Sequence, residues 1–311
     1  MTEKFKRIDF LGTIIIICGT ICLLLPVQWG GNQYAWNSAV VISLFVVSVV
    51  IIGVFSYVEL YQAREPIIPG RLFKLRTPMA VFVMNFFFGI AFFSVIYYSP
   101  LYFQVVRGDS ATISGLELLP LMLGVVFFSI GSGIFTARTG IYRPVITLGC
   151  ALATIGCSLL STWTAYSNRG QQIGYLLVTG VGLGMCVQTM LLAAQTSVTY
   201  KDIAVITALC NFFRTIGGVL GISISGAIFN NKLSQELLSL NANISIQMAE
   251  NSVTFVRSLP QPIMTNVIDG YVSSLDLVYL VAAPLAGCSF IASLFVQHFK
   301  LRKSLGASAM E

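Results

Sequence analysis

Charge is scarce in this sequence. Only 10% of its 311 residues are charged, while 56% are hydrophobic. A soluble domain carries about 25% charge. A chain this apolar has too few polar groups to cover a surface in water, whereas in lipid the outer face stays apolar. The composition therefore excludes an ordinary water-soluble domain. Histidine is nearly absent as well: His298 stands alone, beside Lys300, Arg302 and Lys303. That setting suits an interfacial role rather than catalysis. Cysteine is present but unpatterned. Cys18, Cys22, Cys150, Cys157, Cys186, Cys210 and Cys288 all lie inside apolar runs, their number is odd, and none has metal-site spacing. They read as small packing residues, not disulfides or ligands. No nucleophile–base pair, HExxH, P-loop or paired catalytic carboxylates are present. Nothing supports an enzyme, a metal site or a cofactor.

What the chain does have is long apolar runs, consistent with a mean hydropathy of +0.84. A helix crosses the bilayer core with about 20 apolar residues. Runs of that length are expected at 9–29, 38–58, 78–104, 112–136, 143–163, 171–195, 203–229 and 274–297. The reading is all-α and integral to the membrane, with eight spans and the bilayer itself as a partner. The first run follows Lys4, Lys6 and Arg7 like a signal peptide, but it is long and no small-residue cleavage site follows. Its exit carries Gln28, Trp29, Tyr34 and Trp36, an interfacial belt.

The net charge of +6 would point to nucleic acid in a soluble domain. Here the basic residues cluster between apolar runs, so no nucleic-acid partner is expected. One side holds the N-terminal cluster, then Arg64, Arg71, Lys74 and Arg76, then Arg138, Arg143, Lys201 and the C-terminal cluster. The other side holds only Arg107, Arg169, Lys232 and Arg257. Basic loops stay in the cytoplasm. Both termini are therefore expected there, with the plasma membrane as the expected location.

Two connections are long. Residues 59–77 contain Pro66 and Pro69, which interrupt a helix, and Leu72 and Phe73 are candidates to lie on the membrane surface. The other connection, an external loop at about 230–273, contains the sequon Asn243-Ile244-Ser245, a possible glycosylation site. Two units follow. Residues 1–77 hold two accessory transmembrane helices and a cytoplasmic linker, and 78–311 hold a six-helix bundle.

The sharpest candidate for function is Arg214, about 17 Å into the seventh span at 1.5 Å per residue. A charge near the bilayer centre costs about 3 kcal/mol on insertion scales and normally faces a cavity or a partner. The residue either meets an anionic or polar part of a substrate or pins a neighbouring helix. Asn211, Arg214, Gly218, Gly221 and Ser225 form one helical stripe. Gly217 and Gly221 form a GxxxG that permits close helix packing. Gln188 and Gln195 share a face of the sixth span, where they either contact substrate or bond across helices. The third span is crowded with rings and also carries Asn85 and Tyr98; aromatic walls with a few polar groups suit flat hydrophobic ligands. Glu117 and Asp276 are expected near the outer ends of their spans, where hydration competes with a proton-carrying role.

The link between spans four and five reads Gly133-Ile-Phe-Thr-Ala-Arg138-Thr-Gly140-Ile-Tyr-Arg143-Pro144. It resembles the degenerate G-x-x-x-x-R-x-G-x-x-R signature loop of the C-terminal half of the major facilitator superfamily. Asn211-Phe-Phe-Arg214-Thr-Ile-Gly217-Gly218 with Gly221, Ser114-Gly115-Leu-Glu-Leu-Leu-Pro120, and Glu65-Pro66-Ile-Ile-Pro69 with Leu72-Phe73 are similar to the fungal fourteen-span drug:proton antiporters. The resemblance covers nearly the whole chain. It implies two accessory spans plus the C-terminal six-helix bundle, with a further N-terminal six-helix half as a missing partner. It also implies proton-coupled efflux of a hydrophobic small molecule, such as a fungal secondary metabolite, toxin or drug. Substrate in that family lies between two halves that rock against each other. The alternatives are a non-transporting membrane scaffold or half-transporter subunit, and uptake or vacuolar transport of a polar solute.

Overall fold

The computed structural model describes residues 10–30, 33–61, 69–239, 253–261 and 263–299. Eight helices among them are long and apolar enough to cross a membrane. They are α1 (Phe10–Trp29), α2 (Ala39–Tyr61), α3 (Arg76–Tyr102), α4 (Leu119–Thr139), α5 (Arg143–Leu160), α6 (Arg169–Thr196), α7 (Ile203–Ser239) and α8 (Ile263–Ser293). At 1.5 Å per residue each reaches or approaches the roughly 30 Å of the hydrocarbon core. No strand occurs among the described residues; a single isolated bridge pairs Gly30 with Tyr34.

Local chemistry sets the helix ends. Asn168 caps α6, its Oδ1 accepting from Gln171 N at 2.8 Å while Gln171 Oε1 accepts from Asn168 N at 3.2 Å. This reciprocal pair satisfies two donors that a helix start leaves open. Gly140 ends α4 in the left-handed region at φ 79°, the geometry glycine adopts without strain. Pro144 occupies the first turn of α5, where its missing N–H removes no helix bond. Beyond Pro100, α3 loosens into a π-helical turn, Phe103–Arg107, that stops at Gly108.

The connection expected over about 230–273 is much shorter, because α7 runs on to Ser239 and α8 begins at Ile263. Hydropathy fades at Asn230, Asn231 and Lys232, but the helical face does not. Leu233 and Leu237, one turn apart, are buried, and Lys232 Nζ pairs with Glu236 Oε1 at 2.7 Å on the wetter side. Val267, Ile268 and Tyr271 continue the same pattern at the start of α8. The Asn243 sequon lies outside the described residues. Leu72 also departs from expectation. It is buried at the foot of α3, and only its neighbour Phe73 stays 39% exposed.

Helices α3–α8 form one bundle, and its packing has an internal symmetry. Helix α3, first of one triplet, lies along α7 and α8; helix α6, first of the other, lies along α4 and α5. The last helices, α5 and α8, also meet, as do α3 and α6. Exchanging the triplets reproduces these contacts, as an inverted repeat requires, whereas the packing of α7 along α8 has no counterpart of that extent between α4 and α5. Helices α1 and α2 form an antiparallel hairpin that packs mainly on itself and touches the bundle through α1 and α7.

Small residues set the closest crossings. A Cβ on Gly217 would strike the carbonyl oxygen of Phe86, and one on Gly89 that of Arg214. Across α4 and α6, a Cβ on Gly180 would strike the Leu121 carbonyl, and one on Gly184 would come 2.6 Å from that of Val125. Both α3–α7 and α4–α6 therefore bring backbone against backbone. In lipid this close van der Waals contact replaces the hydrophobic effect as the force between helices.

Candidate substrate pathway

Arg214 lies eleven residues into α7 and is partly buried. Its Nε and Nη2 both donate to Asn85 Oδ1, at 3.1 and 2.9 Å. The guanidinium carbon stands 5.4 Å from the centre of the Phe88 ring, a cation–π contact. Asn85 has no exposed surface, and its own Nδ2 donates to Val81 O at 2.9 Å. The amide is thereby fixed with its oxygen towards the arginine. Four ion pairs occur among the described residues, and none includes Arg214. A full positive charge at this depth is held by a neutral amide and a ring face.

The structure joins Asn85 to Arg214 and sorts the other sequence candidates. Gln195 Nε2 donates to Thr207 Oγ1 at 3.0 Å, a bond across α6 and α7. Counting back seven residues on α6 and forward seven on antiparallel α7 puts Gln188 at the depth of Arg214. Gln188 is exposed, as is Asn211, one turn below Arg214. Tyr98 stands apart. It is thirteen residues, about 20 Å, along α3 from Asn85, and only 4% exposed. Gly217, Gly218 and Gly221 lie in the α3–α7 crossing, facing Phe86, Phe93 and Ile90. Ser225, at the far end of the same stripe, donates to Ser94 Oγ at 2.9 Å.

The signature segment fastens one end of the bundle. Gly133 faces the side chain of Gln188, with Arg138 exposed in the last turn of α4. Its charge there complements the negative helix end. Arg143 Nη2 donates to Leu294 O at 3.3 Å, and the Tyr142 hydroxyl donates to Gln297 O at 2.9 Å. These bonds tie the α4–α5 turn to the end of α8.

The carboxylates divide clearly. Glu117 is paired with Arg169 at 2.9 Å, and Asp202 with Arg71 at 2.7 Å. Asp276 is expected near the outer end of its span. The helix begins before the apolar run, at Ile263, so thirteen residues, about 20 Å, of helix precede Asp276. Among the described residues it has neither a hydrogen bond nor an ion pair, and it is partly buried. The hydropathy profile missed the polar first turns of α8, which carry the helix beyond the apolar run. Sequence reasoning also missed Gly89 and Gly124, since their partners lie on distant parts of the chain.

Two helical triplets, an accessory hairpin and a partly buried charge that joins α7 of one triplet to α3 of the other define a polytopic membrane-helix fold. The family model of the Major Facilitator Superfamily matches residues 8–222, and the chain belongs to that superfamily. That superfamily is one of membrane transporters, not of enzymes. The chain is 34% identical over 292 residues to an MFS-type efflux pump of Trichophyton rubrum, matching 93% of this chain and 54% of that protein. It is 35% identical over 297 residues to the aspyridones efflux protein of Neocamarosporium betae, covering 94% of this chain and 53% of the relative. The efflux pump bfoC of Aspergillus brasiliensis is 32% identical over 308 residues, with 98% and 55% covered. The chain thus spans about half the length of the curated relatives it matches. A bacterial homolog of the human lysosomal transporter Spinster, inward-facing and unoccupied, shares the fold with a TM-score of 0.58 at 11% identity, over 93% of this chain and 67% of that one.

Proposed function

We propose that this chain supplies one wall, with two accessory helices, of an efflux transporter for hydrophobic small molecules. Arg214 receives the anionic or acceptor-rich group of the substrate. One observation carries the reading: a guanidinium deep in α7 whose hydrogen bonds go to neutral Asn85. A desolvated cation without a counter-charge attracts an anion or a carbonyl and repels an amine. Gln188 and Asn211 extend the polar strip on the exposed side of α6 and α7. A second six-helix half faces that strip and closes the site. Relatives that are efflux pumps support the direction of transport. The distribution of Lys and Arg supports cytoplasmic termini, and the plasma membrane suits export. Loss of substrate export by cells carrying the Arg214→Ala gene, with the protein still in the membrane, tests the reading; undiminished export contradicts it.

Proton coupling falls to Asp276 in the same proposal. It is a partly buried carboxylate within α8 that has no cationic partner among the described residues. Asp276→Asn is expected to lower pH-gradient-driven transport in everted vesicles at least about tenfold, equivalent to roughly 1.4 kcal/mol. Substrate exchange, which needs no net proton movement, is expected to persist. Equal gradient-driven rates in the two proteins would remove Asp276 from the coupling.

A further inference from the structure

A cavity of about 540 Å³ opens between α1, α3 and α7, well away from Arg214. Its size falls within the range of small-molecule sites, roughly 300–1,000 Å³. We propose that it is a second ligand site, taking a neutral planar phenol, and that accessory helix α1 forms part of its wall. This rests on the export reading above.

The lining chemistry selects the ligand. Tyr97 and Tyr98 of α3 meet at 5.1 Å between ring centres, and Phe229 of α7 lies 5.8 Å from Tyr98. These rings offer faces to a flat aromatic ligand. Tyr98 is 4% exposed, yet its hydroxyl has no hydrogen-bond partner among the described residues. It points at Gly226, where an added Cβ would sit 3.1 Å away. The oxygen is not itself buried: the little surface Tyr98 keeps includes the hydroxyl, which opens onto the cavity beside Gly226 and is free to bond a ligand there. Gln104 spends its Nε2 on Ser114 Oγ at 3.0 Å, leaving its carbonyl oxygen to accept from a phenol. No residue of the lining is charged, which favours a neutral ligand over an ion. Gln28 of α1 stands at the exposed mouth. From Arg214 to Gly226 is twelve residues of α7, about 18 Å, so one small ligand does not span both places.

Equilibrium binding of radiolabelled 1,8-dihydroxyanthraquinone to the complete gene product in detergent tests the assignment. Tyr98→Phe is expected to weaken binding about fivefold, while binding of unhydroxylated anthraquinone stays unchanged. Gly226→Leu, which fills the space, and Gln28→Trp, which narrows the mouth, are each expected to weaken binding at least tenfold. Tyr98→Phe is conservative enough to decide the matter if Gly226→Leu disturbs packing. Arg214→Ala is expected to lose export and keep this affinity. Three results would each overturn the site. The wild-type protein fails to bind the probe, the three cavity variants bind like wild type, or a phosphatidylcholine with a photoactivatable acyl chain labels Tyr97 and is not displaced by the probe. Cavity-dependent binding in a protein that exports nothing overturns the export reading and leaves the site standing.

Discussion

Arg214→Ala is expected to lower export by roughly ten- to a hundredfold. A hydrogen bond to a charged group contributes about 1.5–3 kcal/mol, and each 1.4 kcal/mol is about a factor of ten. The loss has two sources that separate experimentally. Removing the guanidinium removes the attraction for an anionic substrate group. It also leaves Asn85 Oδ1, which has no exposed surface, without either of its two donors. A stranded buried acceptor costs about 1–3 kcal/mol of stability. Arg214→Lys keeps the charge but cannot reproduce the fork that grips one oxygen with two N–H groups. It is therefore expected to export at an intermediate rate. Asn85→Leu removes the acceptor and leaves the charge. That variant is expected to lose thermal stability while keeping its preference for anionic over cationic substrates. Transport rate, membrane abundance and unfolding temperature, measured on the three variants together, distinguish a binding role from a pin. A purely structural arginine predicts that export tracks unfolding temperature in all three.

The second large effect concerns the glycine crossings. Gly217→Leu is expected to unfold the α3–α7 contact, because its side chain must occupy the space of the Phe86 backbone carbonyl. Gly180→Leu meets the Leu121 carbonyl in the same way at the α4–α6 crossing. A flexible side chain yields to an added methylene; a carbonyl in a helix ladder does not. Overpacking costs about 1–3 kcal/mol even where side chains adjust, and these two sites stand at or above the upper end. Near-complete loss of monodisperse protein in detergent is the expected readout. Gly131 supplies the control, since nothing lies within 4 Å of a Cβ there. Gly131→Ala is expected to hold or raise the unfolding temperature, as alanine favours the helix by about 1 kcal/mol. If Gly217→Leu matches Gly131→Ala, the helices are not held at that distance by the glycines.

The span plan was legible because lipid imposes it. A backbone in hydrocarbon must close its own hydrogen bonds over about 20 apolar residues, and those runs are visible without any partner. Helix length beyond the bilayer was not. Residues 230–239 and 263–273 are too polar for a hydropathy window, yet Leu233, Leu237 and Tyr271 bury a face that only the bundle reveals. Asp276 accordingly lies mid-helix and yet close to the start of the apolar run at 274. Arg214 was legible because a charge in an apolar run needs a reason. Asn85, 129 residues away, carried only a weak polar signal, and the bond between them is a product of the fold. Gln195 shows the limit from the other side. Its amide suits a substrate and suits Thr207 equally, and geometry assigns it to Thr207. Tyr98 was legible as a polar ring but not as a site apart from Arg214, since depth along α3 emerges only once the helices are aligned.

The most direct test of Arg214 as the substrate-receiving group is charge selectivity. Matched hydrophobic substrates that differ only in carrying a carboxylate, an amide or an amine are offered to everted vesicles containing the complete gene product, wild type or Arg214→Gln. Expected is transport in the order carboxylate, amide, amine for the wild type, with the order flattened in Arg214→Gln. An unchanged order in the variant, or a wild type that prefers the amine, would contradict a positive charge facing the substrate.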